Sequence, residues 1–512
     1  MKRTLTVAVA AALGATASSA GAVMLSQGGT GQVLIYPYYT VNHQATLVSV
    51  VNTTAHGKAL KVRFREAYDG RDVANFNVYL APYDSWVGAL AVFDTNPDSA
   101  GAAINTNDHS CTVPAFPLIG IPDTLHPMPF TNANYSQGDY GTPTGTDAGP
   151  TNLARTREGF FEIIEMGEIV DQASGSQKTL EAITPANGSP PGCAQLSSAW
   201  DSGGYWTTKP NTDLSPPAGG IYGAAGIVDV ARGTLFAFDA IAIDGFSDVI
   251  QHTGPGNPKP SLATAVTDTA HNVATAYVPL GNTMIKADYP AATRGIDAVS
   301  AVLAAGVLAN EYMTDRGVGA ASEWVITFPT KQFYVDPAIV GKAPQDAAIA
   351  PFETIFGEAA LSGSDPFAVG TSCLGIVPKG YDRNGPDPTG DIGFPEPPIT
   401  GGNYLCYEAQ FITFNQQAVE PGVPTTVFGS LFGSNYFTNH DSGWFAVSFD
   451  NAAERASLEG NVFNGLPAVG FLAANYINAN VTPGVLSNYS GVYPHRSTAS
   501  CMNSTNPQSA CL

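Results

Sequence analysis

Residues 58–65 read Lys-Ala-Leu-Lys-Val-Arg-Phe-Arg, and in them Leu60, Val62 and Phe64 alternate with Lys61, Arg63 and Arg65. Alternation at a period of two belongs to a strand with one apolar and one polar face. Asp69-Gly70 supplies a turn, after which Phe76, Val78 and Leu80 alternate with Asn75, Asn77 and Tyr79. The two runs therefore predict a β-hairpin with one face in a core. Residues 33–41, 46–53 and 86–93 are further strand-like runs, at the spacing of a β-sandwich. The expected fold is mostly β: Ig-like β-sandwich domain(s) with long disulfide-tied loop insertions and one buried helix in the second half.

Outward from this hairpin, residues 95–156 and 173–219 are rich in Asn, Asp, Gly, Pro and Thr and read as long surface loops. Residues 160–169 fit a strand, but Glu158, Glu162 and Glu165 also share a helix face. Residues 296–312 carry Ile296, Val299, Leu303 and Val307 on one stripe with little charge elsewhere, which predicts a helix buried against a sheet. The Pro/Gly-rich stretch 254–260 suggests a boundary between an N-terminal domain, 23–255, and a C-terminal, mostly β domain, 256–512.

Residues 1–22 open with Lys2 and Arg3, continue through an Ala-rich apolar run and end Ala20-Gly21-Ala22. This is the pattern of a secretory signal peptide, so the mature chain is expected to begin near Val23 and to work outside the cytosol: in the periplasm, on the cell surface or beyond. The longest later apolar run, 296–309, is too short to span a bilayer, so no transmembrane anchor is expected in the mature chain. The composition, 44% hydrophobic and 13% charged, is that of a folded chain. Losing Lys2 and Arg3 leaves 20 basic against 43 acidic residues, a balance that excludes nucleic acid as a partner.

Six cysteines, Cys111, Cys193, Cys373, Cys406, Cys501 and Cys511, suggest three disulfides in an exported chain, paired here between sequence neighbours. Residues 36–41 (Tyr-Pro-Tyr-Tyr-Thr-Val), 46–54 (Thr-Leu-Val-Ser-Val-Val-Asn-Thr-Thr), 76–86 (Phe-Asn-Val-Tyr-Leu-Ala-Pro-Tyr-Asp-Ser-Trp) and 323–334 (Glu-Trp-Val-Ile-Thr-Phe-Pro-Thr-Lys-Gln-Phe-Tyr) resemble segments shared by uncharacterised exported proteins of gram-negative bacteria. These are strand-like segments and not catalytic motifs, so the resemblance implies export and brings no activity or site residue.

No coherent catalytic constellation is visible. Asp201-Ser202-Gly203-Gly204 is like a chymotrypsin nucleophile segment, but the segment that echoes that family's histidine, Thr269-Ala270-His271, follows it in the chain, the reverse of that family's order. Ser372 of Gly370-Thr371-Ser372 precedes Cys373 and no Gly-x-Ser-x-Gly elbow occurs. Glu162 and Glu165 are the best local carboxylate pair, but on a strand they point to opposite faces. No cofactor is required on this reading. Calcium fits two oxygen-rich loops, one with Asp94, Asn96 and Asp98, the other with Asp382, Asn384, Asp387 and Asp391, neither completing an EF-hand. Trp200, Tyr205 and Trp206 form an aromatic cluster suited to stacking on a ligand or to a loop's own small core.

Lys58, Lys61, Arg63, Arg65 and Arg71 crowd into one short stretch, and Lys61, Arg63 and Arg65 share a strand face. The expectation is a solvated basic face, or a partner patch for a second copy of the chain or an anionic cell-surface polymer. Three functions follow: a non-enzymatic secreted or cell-surface protein with a structural, adhesion or ligand-binding role; a carbohydrate-binding or carbohydrate-active protein; or a surface-layer or fibre subunit.

Overall fold

The computed structural model describes residues 21–93, 100–116, 127–136, 149–342, 348–353, 372–383, 385–386, 404–416, 423–449, 452–482, 484–504 and 511. Strand makes up 48% and helix 12%, which fixes the class as mostly β. The hairpin forms as expected: strand Gly57–Glu66 pairs antiparallel with Asp72–Leu80. They belong to an eight-stranded sheet that runs Met24–Leu25, Ile241–Asp244, Val33–Thr40, Glu158–Ile169, Gly57–Glu66, Asp72–Leu80, Cys111–Val113, with Leu214–Ser215 beside Glu158–Ile169. The ambiguous 160–169 segment is thus a strand. A six-stranded sheet runs Thr234–Asp239, Ile221–Asp229, Ala45–Asn52, Ser85–Phe93, Gly101–Asn105, Met128–Pro129. Leu60, Val62 and Phe64 meet Val48, Val50, Trp86 and Leu90 of the second sheet in one apolar cluster.

The polar face of the same strand overturns the expectation of a solvated patch. Lys61, Arg63 and Arg65 are buried. The neighbouring strand Glu158–Ile169 sets Glu162 directly opposite Arg63, and Arg63 reaches Glu162 at 3.1 Å and Asp72 at 2.7 Å. Arg65 reaches the same Glu162 carboxylate at 3.3 Å, and donates to Gln332 of the second half. Lys61 Nζ donates to the Gly254 carbonyl at 2.7 Å. Lys58 bridges Glu165 and Glu168 at 2.7 and 2.8 Å, while Arg71 pairs with Asp336 and Arg155 with Glu66. Charges taken out of water must be paired, and here an acidic strand is laid against a basic one. Later parts of the chain then roof them: the 254–260 stretch and the short helix Gln332–Val335.

The helix expected over 296–312 spans Ala291–Leu303 and is buried on its C-terminal two thirds. It stops earlier than its apolar stripe because residues 304–305 pair with Leu466–Pro467, and the chain continues as strand Val307–Met313. Two five-stranded sheets complete the second half. One runs Gly385–Pro386, Val377–Asp382, Ser442–Ser448, Val307–Met313, Arg496–Thr498. The other runs Gly433–Phe437, Ala409–Asn415, Ala320–Thr327, Val469–Thr482, Val485–Pro494. Between them lie Tyr312, Trp324, Phe414 and Phe445. On the far side of the second of these sheets, Val325, Phe411 and Phe471 join the N-terminal cluster, so side chains from both sides of residue 255 share a core.

Cys111–Cys193, Cys373–Cys406 and Cys501–Cys511 are disulfide-bonded, as the pairing of sequence neighbours predicts. No helix among the described residues is long and apolar enough to cross a membrane.

Candidate functional site

The four strands Val377–Asp382, Ser442–Ser448, Val307–Met313 and Arg496–Thr498 carry their alternate residues outward in cross-strand rows. One row is Tyr381, Trp444, Glu311. The next is Lys379, Ala446, Ala309, Arg496. Inward residues such as Phe445 and Tyr312 are buried, which fixes the face each strand shows. Tyr381 and Trp444 stack with ring centroids 3.9 Å apart and planes 6° apart. Tyr381 therefore covers one face of the indole, and Trp444, 42% exposed, presents the other.

The strands can close this tightly because residue 443 is glycine: a Cβ there would lie 2.0 Å from the Tyr381 carbonyl oxygen. Small Ala446 and Ala309 occupy the next row, between the basic ends Lys379 and Arg496. Three strand spacings separate those ends, about 14 Å.

Beyond Glu311 the chain turns a corner. Strand Val485–Pro494 ends, His495 makes the bend, and Arg496 begins the edge strand. His495 is pinned there by its two ring nitrogens: Nε2 donates to the Val325 carbonyl at 2.9 Å and Nδ1 accepts from Asn310 at 3.1 Å. Burial pushes its pKa down to about 4, so the imidazole is neutral. Trp324 Nε1 donates to the Glu311 carbonyl at 2.9 Å, holding the strand that carries Glu311. The corner brings Tyr493, 49% exposed, to the same groove as Trp444. This open groove has a volume of about 1230 Å³, with Glu311, Met313, Ser442 and Arg496 among its lining and Asp382 and Arg383 at one end.

A flat indole face, a second aromatic wall and a few polar groups at the rim suit a ligand with apolar faces and polar edges. Asp382 lies opposite Gly443 and Tyr312 at the end of its strand, Glu311 lies in the Trp444 row, and both carboxylates line the groove.

The sequence-derived sites fare differently. Trp206 is buried and stacks on Tyr79 at 5.3 Å, with Trp200 and Tyr205 packed around it. Trp200 Nε1 donates to the Tyr79 hydroxyl at 3.0 Å; that hydroxyl lies 3.0 Å from His252, whose pKa burial pushes down to about 3. The cluster is a small core beside the Cys111–Cys193 bridge, the second of the two roles the sequence offers for it. Glu162 and Glu165 are sealed in ion pairs. Ser202 and His271 are both exposed and head no triad: His271 Nδ1 bonds Asp268 at 2.6 Å. Asp94, Asn96, Asp98, Asn384, Asp387 and Asp391 lie outside the described residues. Asp382 is described, its carboxylate 3.8 Å from His440, and the described residues hold no cluster of three metal-ligating side chains.

Sequence reasoning missed Trp444, Tyr381 and Tyr493. The aromatic partners of Trp444 come from strands distant in sequence. No family model matches the chain, and no curated protein or solved structure does.

Proposed function

We propose that the chain is an exported, non-enzymatic protein that binds carbohydrate in the Trp444 groove, on the cell surface or outside the cell. The observation that carries this reading is the exposed indole face of Trp444, backed by Tyr381 and sharing its groove with Tyr493. The C–H face of a sugar ring, weakly positive, packs on the negative face of an indole. Its hydroxyls meet Glu311, Ser442 and Arg496 at the rim.

Export is supported by the leader-like residues 1–22, by the resemblance to exported proteins and by three disulfides, which are compatible with an oxidising compartment. The Ig-like reading of the N-terminal half rests on strand spacing and on two sheets facing across one core. A cell-surface polymer remains the partner, but its contact moves from the buried basic stripe to this groove.

Trp444 is the exposed one of five tryptophans: Trp86, Trp206 and Trp324 are buried and Trp200 is half-buried. Its fluorescence therefore reports on the groove. Titration with a panel of soluble polysaccharides (laminarin, xylan, dextran, chitosan, alginate) is expected to quench or shift that signal for at least one of them and to protect it from iodide. Trp444→Ala is expected to abolish retention of the protein on that polysaccharide. A panel that leaves both emission and iodide accessibility unchanged would remove the reading.

A further inference from the structure

We infer that the groove is one end of a longer aromatic track, so that its ligand is a polysaccharide chain and not a single sugar; this rests on the carbohydrate reading above. The track follows the strand Val485–Pro494, which leads out of the groove at Tyr493. Its even-numbered residues face the N-terminal half: Asn488 donates to the Arg232 carbonyl, Ser490 bonds both backbone groups of Leu235, and Val492 packs on the apolar cluster there. Its odd-numbered residues are left for solvent. Among them are Tyr493 and, 64% exposed, Tyr489.

Four residues along one strand put the two tyrosines on the same side, with their Cα atoms about 13 Å apart. The outward residue between them is Gly491, and the Tyr493 ring folds over it: a Cβ at 491 would come within 3.2 Å of the Tyr493 hydroxyl. Beside the track, Tyr476 stands opposite Tyr489 on the partner strand, and its hydroxyl bonds Met313 Sδ in the groove wall. Exposed aromatic side chains thus recur from Trp444 and Tyr493, which line the groove, to Tyr489 further along the strand, a spaced row that can take successive rings of one glycan. Tyr489 lies outside the groove lining and is a specificity residue for chain length.

The test is a length series. The full chain is titrated with cello-, laminari- and chito-oligosaccharides from dimer to octamer, followed by Trp444 fluorescence and by calorimetry. In the wild type the octamer is expected to bind about tenfold tighter than the dimer, the gain of one added aromatic contact. Tyr489→Ala, a change at an exposed position, is expected to keep the dimer affinity and lose most of that gain. Equal binding of dimer and octamer by the wild type, or a full length gain retained in Tyr489→Ala, would overturn the track and leave the groove as a single-sugar site. If no oligosaccharide of any length binds, the carbohydrate reading falls with the track, and the aromatic row is a contact for a protein.

Discussion

Arg63 and Glu162 stand directly opposite each other on adjacent strands, joined at 3.1 Å, with both side chains sealed from water. Removing one partner of such a pair strands the other charge in a medium that cannot solvate it. Glu162→Gln, which leaves Arg63 and Arg65 to share Asp72, is expected to lower stability by about 3 kcal/mol. Lys379→Gln, on the exposed face of a later strand, is expected to change it by less than about 0.5 kcal/mol. Urea midpoints at unchanged m-value measure both, and a Glu162→Gln loss no larger than that of Lys379→Gln would show that the network adds nothing.

Glu408 gives the stability a pH dependence of definite sign. Both of its carboxyl oxygens are buried with no hydrogen-bond partner. Burial, partly opposed by Lys331 and Arg65, pushes its pKa up to about 8. In the unfolded chain a glutamate titrates near 4.3. Between about pH 4.3 and 8 the folded state therefore keeps a proton the unfolded state has released, and stability falls as pH rises, by at most about 1.4 kcal/mol per pH unit for this group. Glu165 and Glu323, each raised to about 7 by burial, act in the same direction over a narrower window. Glu408→Gln is expected to flatten this slope and to gain most on the wild type near pH 8. Parallel stability profiles for variant and wild type would refute it.

The Cys111–Cys193 bridge closes a loop with a sequence separation of 82 and ties the edge strand Cys111–Val113 to the helix Cys193–Ala199. Replacing both cysteines by serine is expected to cost about 4 kcal/mol on the loop-entropy model. Differential scanning calorimetry of the double variant reads it directly. Since all six cysteines are paired, the native protein is also expected to yield no thiol to alkylation before reduction.

Tyr381 is a positioning residue for Trp444. Tyr381→Leu removes the parallel ring that holds the indole, at a stability change of about 0.5–1.5 kcal/mol. It is expected to weaken polysaccharide binding several-fold and to raise the mobility of Trp444, visible as lower fluorescence anisotropy. Unchanged anisotropy with weakened binding would mean that Tyr381 touches the ligand itself.

How far the sequence could be read follows from how local each signal was. Leu60, Val62 and Phe64 announced their strand and their inward face because alternation is a property of one segment. The cysteine pairs followed sequence proximity. Lys61, Arg63 and Arg65 misled because a polar face is solvated only if nothing covers it, and their cover, Gly254, Pro260 and Gln332, comes from up to 267 residues away. The helix ran long on paper because its apolar stripe continues into the strand Val307–Met313. The Trp444 groove was invisible for the same reason as the roof: Tyr381, Glu311 and Tyr493 come together only through strand pairing and a corner at His495.

The sealing of the basic stripe also bears on resistance to trypsin-like proteases. Between Arg3 and Arg155 the chain's basic residues are Lys58, Lys61, Arg63, Arg65 and Arg71, and all five are buried, as is Arg155. A trypsin-like enzyme needs an accessible lysine or arginine on backbone that can bend into its cleft. Arg157 is half-buried, with its guanidinium on the Ala100 carbonyl, and the first fully exposed basic side chain past Arg3 is Lys178. Among the described residues, the folded protein therefore presents its first fully exposed cleavage site for such enzymes at Lys178, beyond most of its N-terminal strands.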